Sequence, residues 1–318
     1  MLYQGEPHGQ RVKRMPVSAD DVRNAYRFIL GREPENAEVV AAHQRRAADL
    51  ADLRRGFIGS AEFRQDVQGV PLTAPPPEVE TVADPEALNA IIAKTGEAWA
   101  ALGMVAPHHS VLSAEQYRPG RLAENESAFW ESGRGDLDLV ISVLRRIDRS
   151  PYDFRRCVEY GCGVGRVTAQ LATVFREVVA LDISAPHLEI AREHVDRVNV
   201  RFRQVTPTDL FSVEGYDLWF SRLVLQHNPP PVTLAILDRA FAGLMPHGVA
   251  IVHVPTYCPG YSFNVVDYLS GKAFVHMHAT PQKPIFDLAW KRGCCLRDVR
   301  EEGIPGWVTN IFAFEKVG

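Results

Sequence analysis

Glu159-Tyr160-Gly161-Cys162-Gly163-Val164-Gly165 sets three glycines at alternate positions behind a carboxylate, and a second carboxylate, Asp182, follows further along. The apolar pair Cys157-Val158 before this run reads as a buried strand. Val167, Leu171, Val174 and Phe175 after it recur with helical period. The glycines therefore sit at a strand-to-helix turn, where glycine permits positive φ and lets a ligand approach the main chain closely. Asp182 ends the next apolar strand, Val178-Val179-Ala180-Leu181. A carboxylate there can accept hydrogen bonds from both hydroxyls of a ribose. The constellation is that of a nucleoside-cofactor site.

The spacing narrows the choice of nucleoside. A dinucleotide fingerprint is G-x-G-x-x-G, and here the third glycine comes one residue early. A pyrophosphate would also be repelled by Glu159, whereas a sulfonium and an ammonium would tolerate or favour it. At this point the chain resembles the class I S-adenosylmethionine-dependent methyltransferases, whose loop is [DE]-x-G-x-G-x-G; Glu159 through Gly165 matches every fixed position. The resemblance implies S-adenosylmethionine as cofactor. It assigns Glu159, Gly161, Cys162, Gly163, Gly165, Asp182 and Ile183 to its site. The turn 206–209, which in the family lies against the adenine, adds Thr206. Cys162 is not read as a nucleophile, because methyl transfer needs none.

From residue 155 onward strands and helices alternate. Strands are expected near 156–160, 178–182, 200–205, 216–221, 249–254, 296–300 and 308–315, and helices near 165–175, 185–196, 232–244 and 281–291. Such alternation implies a parallel sheet wound on both faces. The last two strands are joined by too short a link for a helical crossover and should pair antiparallel. The resemblance supplies the topology: an α/β, Rossmann-like, seven-stranded, mostly parallel sheet with a final antiparallel strand. It extends over Ser110-Val111-Leu112, Tyr117, Phe129-Trp130-x-Ser132-Gly133, Val224-Leu225-Gln226-His227 and Gly306-Trp307. The family's L-K-P-G-G turn is altered to Leu244-Met245-Pro246-His247-Gly248, with Gly248 expected to keep the turn glycine.

Ahead of this region, residues 1–70 read as a small helical accessory domain. Ser18 can cap a helix bearing Val22, Ala25, Tyr26, Ile29 and Leu30, with Gly31 as its stop. Two more helices follow, near 35–47 and around Leu50, Leu53 and Phe57. Tyr26 through Pro34 with Ser60-x-Glu62-Phe63 resembles a bacterial helical module often attached to glycan-modifying enzymes. That module has no known chemistry, and a packing or partner-docking role is the plain reading. A proline-rich linker at 71–85 separates it from a methyltransferase domain at 86–318, which opens with helices near 86–101 and 136–147.

His227 falls just beyond the fourth strand, at the carboxyl edge where such sheets bind ligands. It is the candidate catalytic residue, a general base for a hydroxyl acceptor; the alternative is a histidine that bonds the backbone and shapes the pocket. Asn228-Pro229-Pro230-Pro231 reads as a helix entry. His276, His278 and Cys294-Cys295 fit no zinc template, so no metal is expected. His278 is the better candidate for a place beside the acceptor.

The 318 residues are 46% hydrophobic and 23% charged, with net charge −4, ordinary values for a globular protein. The charge and the lack of basic runs argue against nucleic-acid or membrane partners. No signal peptide is expected, and five cysteines, adjacent at Cys294-Cys295 and otherwise scattered, suit a reducing, cytoplasmic setting. The reading is methyl transfer from S-adenosylmethionine to a small-molecule or glycan acceptor, at oxygen rather than nitrogen. A non-catalytic S-adenosylmethionine-binding scaffold is the alternative, and a NAD-dependent oxidoreductase a weaker one. Oligomeric state is not set by these features.

Overall fold

A computed structural model describes residues 16–30, 32–60, 62–63, 78–210, 213–272, 274–304 and 306–318. The chain divides into two compact units, Met1–Gly69 and Val70–Gly318. Gly31, expected as a helix stop, and residues 71–77 of the expected linker lie outside the described residues, while Val79 of the same stretch is bridged to Phe263 of the second unit.

In the first unit, α1 (Ala19–Ile29), α2 (Ala37–Arg46) and α3 (Leu50–Ile58) enclose Val22, Tyr26, Val40, Leu53 and Phe57. Ser18 closes α1 through a capping box with Asp21. Asn36 and Asp49 cap the other two helices by accepting from their first-turn amides. Arg32 is held by Glu62 and lies 4.8 Å from the Tyr26 ring centre, so the conspicuous polar residues of this segment serve its packing.

The second unit is built on seven strands: β1 (Arg156–Tyr160), β2 (Glu177–Asp182), β3 (Val200–Gln204), β4 (Tyr216–Ser221), β5 (Leu244–Tyr257), β6 (Cys294–Ile304) and β7 (Trp307–Lys316). Their order is β3-β2-β1-β4-β5-β7-β6. The first five run parallel, and β7 inserts antiparallel between β5 and β6. The short β6–β7 link permits only a hairpin, which fixes this direction. The order reverses between β1 and β4, which opens a crevice beyond their carboxyl ends.

Successive strand residues face opposite sides of the sheet, and the two cores follow. Cys157, Val178, Leu218 and Ile251 face α7 (Gly133–Arg146), which contributes Leu137, Val140, Val143 and Leu144. Val158, Leu181, Trp219 and Val252 face the opposite side, packed by α4 (Pro85–Val105), α10 (Pro230–Gly243) and α12 (Gln282–Lys291). Among the described residues no helix is long and apolar enough to cross a membrane.

Some expected elements change. The helix expected at 165–175 is one turn, α8 (Thr168–Leu171), flanked by turns. Residues 165–167 belong to the glycine loop, and β-branched Thr173 and Val174 are poor helix formers. Three helices went unanticipated, α5 (Pro107–Val111), α6 (Leu122–Glu131) and α11 (Val265–Ser270). In the altered turn, the left-handed conformation falls on His247 (φ 64°), not Gly248. Gly248 is needed for space instead: a Cβ there would sit 2.9 Å from the Met245 carbonyl. The remaining helix on the sheet, α9 (Ala185–His194), lies where expected.

Candidate functional site

The loop after β1 turns back on β2. The amides of Gly161 and Cys162 both donate to the Leu181 carbonyl, at 2.7 and 2.9 Å. Gly161 and Gly163 have φ of 80° and 55°, a region L side chains rarely enter. A Cβ at Gly161 would also stand 2.3 Å from Val224, and one at Gly163 2.7 Å from Val111. These two positions therefore require glycine for conformation and for space.

Asp182 is held from two sides. One carboxylate oxygen accepts from Gly163 N at 2.7 Å and the other from Ser184 N at 2.8 Å. Each oxygen keeps a further lone pair. Burial raises its carboxyl above the usual range, against the pull of His187 and of these amides. Glu159 is deeper, 4% exposed, and accepts a 2.6 Å bond from Thr168 Oγ1. Burial raises its carboxyl to about 7, while the Thr168 hydroxyl and Arg166 oppose the shift. Cys162 is buried and its thiol is pushed far up by burial, so no thiolate nucleophile is present.

Glu159, Gly161, Cys162, Gly163, Asp182, Ile183 and His227 line one cavity of about 240 Å³. Two expected members are not among its lining residues. Gly165 lies against Val195 and Ala191, where it lets α9 approach the loop. Thr206 closes a tight turn, its amide donating to the Asp209 carbonyl and its carbonyl accepting from Asp209 N.

Trp99, Asp136 and Arg222, not anticipated from the sequence, also line the cavity. Trp99 of α4 lies 5.4 Å from the His227 ring. Asp136, 3% exposed, binds Arg166 through one oxygen at 2.7 Å and Arg222 through the other at 2.5 Å. Arg222 continues to Glu302 at 2.5 Å, and Glu302 lies 3.1 Å from His253. The His253 contact, then Arg222, holds the Glu302 carboxyl down at about 2. Two cations thus balance two carboxylates in a buried network, which removing one partner would leave uncompensated. The Ser132-Gly133 pair of the sequence serves this network: Ser132 Oγ accepts from Arg166 at 3.2 Å, and a Cβ at Gly133 would strike the Arg166 carbonyl.

Both nitrogens of His227 are engaged. Nδ1 lies 3.2 Å from the His276 carbonyl and must donate to it, which leaves Nε2 to accept from the Gln226 amide at 3.0 Å. Burial lowers its pKa and keeps it neutral. Asn228 donates to the Val224 carbonyl and accepts from Thr233 Oγ1, so Asn228-Pro229-Pro230-Pro231 is the entry to α10.

Arg166 Nε and Gln226 Oε1 are buried on this cavity without a partner. An amino-acid ligand end offers both an acceptor and donors, and a ribose can use the free lone pairs of Asp182. The residues present fit a nucleoside that carries an amino-acid tail.

Residues 157–248 match the family described as "Methyltransferase domain". Over 111 residues the chain is 34% identical to trans-aconitate 2-methyltransferase of Deinococcus radiodurans, covering 34% of this chain and 40% of that protein. It is 23% identical over 179 residues to the ubiquinone biosynthesis O-methyltransferase of Rhodopseudomonas palustris, covering 54% and 62%. The chain thus spans less than two thirds of either relative. Among solved structures it is similar to the DhpI–SAH complex, with TM-score 0.47, 20% identity and 72% and 98% coverage. It is also similar to magnesium protoporphyrin IX methyltransferase from Synechocystis with bound SAH, with TM-score 0.45, 18% identity and 58% and 84% coverage.

Residues 157–248 are a methyltransferase domain, carried on a Rossmann-like sheet.

Proposed function

We propose that the chain moves a methyl group from S-adenosylmethionine to a hydroxyl of a small-molecule or sugar acceptor. The observation that carries this reading is the single cavity shared by the glycine loop, Glu159, Asp182 and the residues after β4. Asp182 would hold the ribose hydroxyls, and Glu159 would face the cationic end of the cofactor. Arg166 Nε and Gln226 Oε1 would meet the carboxylate and ammonium of its amino-acid tail. The cofactor supplies a methyl already activated on a sulfonium, so the protein's work is to align and to exclude water. Trp99 and His227 wall the side from which an acceptor would approach. For His227 to act as a base, Gln226 must release Nε2; until then it positions the wall.

Five unpaired cysteines support a reducing, cytoplasmic setting. We read the first unit as a packing or docking module joined by a linker at 71–85. The activity is tested by incubating the protein with methyl-tritiated S-adenosylmethionine and a panel of hydroxylated and amine acceptors. Label should appear in a hydroxylated product. Cofactor binding without transfer to any acceptor would favour the scaffold reading.

A further inference from the structure

A second cavity, of about 770 Å³, is lined by His276, Met277 and His278, whose backbone is bonded to residues that line the first. The His276 carbonyl holds His227, and the His278 amide donates to the Gln226 carbonyl at 2.7 Å. Tyr268 lines the second cavity and lies 3.3 Å from Thr95, which lines the first.

The chemistry of this cavity is one-sided. Tyr261, Phe263 and Tyr268 pack around His278, with ring centres 6.2, 5.5 and 5.7 Å from it. The rim carries Glu78, Glu80 and Asp267, and the described lining holds no lysine or arginine. Glu80 is committed to the fold, accepting from Asn264 Nδ2 at 2.8 Å and from Val265 N at 2.7 Å. Glu78 and Asp267 are exposed carboxylates. Aromatic faces beside carboxylates attract ammonium groups, and the protein already uses one such face: Lys94 Nζ lies 5.0 Å from the Tyr268 ring centre.

His278 adds an independent polar point. It is 6% exposed, and its Nδ1 lies 2.9 Å from the Tyr261 hydroxyl. With Nδ1 committed to Tyr261, Nε2 is left as the other polar atom of a ring that lines the cavity. Burial drives the ring's pKa down to about 3, which keeps it neutral.

We propose that this cavity recognises the body of the acceptor, and that the acceptor is a ring compound carrying an ammonium group and a hydroxyl. The ring lies on Phe263 and Tyr261, the ammonium faces Glu78 and Asp267, and the hydroxyl pairs with His278 Nε2. The proposal rests on the methyltransferase reading for its claim that the ligand is an acceptor, but not for its claim of binding. Amino sugars and hydroxylated aromatic amines share this chemistry.

The test uses the full chain saturated with S-adenosylhomocysteine and two matched series. One is glucosamine, glucose and glucuronate; the other is tyramine, p-cresol and 4-hydroxyphenylacetate. Affinities are read by saturation-transfer NMR and calorimetry at low and high salt. The ammonium member of one series should bind at least about tenfold tighter than its neutral partner, the carboxylate should bind weakest, and salt should erode the preference. The series that responds identifies the source. Glu78→Gln with Asp267→Asn, both at exposed carboxylates, should abolish the preference, and Phe263→Leu should weaken the whole series. Equal or tighter binding of the carboxylates, or no binding by either series, overturns the proposal. Ammonium compounds that bind but stay unmethylated when S-adenosylmethionine replaces S-adenosylhomocysteine would uphold the cavity and count against the methyltransferase reading.

Discussion

Glu159 gives cofactor binding a pH dependence whose size follows from its burial. Its carboxyl titrates at about 7 in the free protein, against 4.5 unperturbed, chiefly through desolvation. Because the folded pKa is raised, its contribution to stability is full below the unfolded value and is lost as pH rises through 7. A cationic ligand end reverses the balance, since it favours the carboxylate. If binding returns the pKa to the unperturbed value, affinity for S-adenosylmethionine falls about 20-fold between pH 7.5 and 5.5. This window lies below the titration of the ligand's amino group, at roughly 7.7–8.0. Calorimetry across the window, in buffers of differing ionisation enthalpy, would report both the affinity and the proton released on binding. Glu159→Gln should flatten the profile and stabilise the free protein above pH 7. A flat profile in the unsubstituted protein, or an unchanged slope in the variant, would refute the assignment. Asp182 is also raised, so Asp182→Asn is the control that separates the two carboxylates.

Three other outcomes follow from the same geometry. Asp182→Ala removes the acceptor for Gly163 N and Ser184 N together with the ribose anchor, and should weaken cofactor binding by about 1–3 kcal/mol in the same titration. His227→Ala should weaken binding or lower the melting temperature and leave the pH–rate profile unchanged if the ring only positions the wall; a base would show as a loss of about 10²–10⁴ in turnover. Deleting residues 1–70 should leave a folded, cofactor-binding domain by circular dichroism and calorimetry, because the second unit has its own two-faced core; an insoluble or molten product would contradict this.

Much of the sheet was legible because its signals are local. The apolar runs at 178–182 and 216–221 are buried strands bounded by turns, and the alternation with helices sets their direction. The glycine loop was legible because its residues are consecutive. What the sequence concealed is non-local. Trp99, Asp136 and Arg222 come from α4, α7 and the end of β4, and only folding brings them to one wall. Asp136 drew no reading of its own from the sequence, although it is the buried partner of two arginines. Helix α6 was hidden because Glu124, Asn125, Glu126 and Ser127 interrupt its apolar residues and only Phe129 is buried. His247 shows the opposite failure. The turn is present, but a histidine takes the left-handed position where the motif has glycine, and no local pattern announces that strain.

The central claim is that the cavity beneath the glycine loop binds S-adenosylmethionine rather than a dinucleotide. Isothermal titration of the purified chain with S-adenosylmethionine, S-adenosylhomocysteine and NAD tests it directly. Saturable one-site binding of the first two, with none of the third, is the predicted result. Binding of NAD with no response to either sulfur nucleoside would contradict the account.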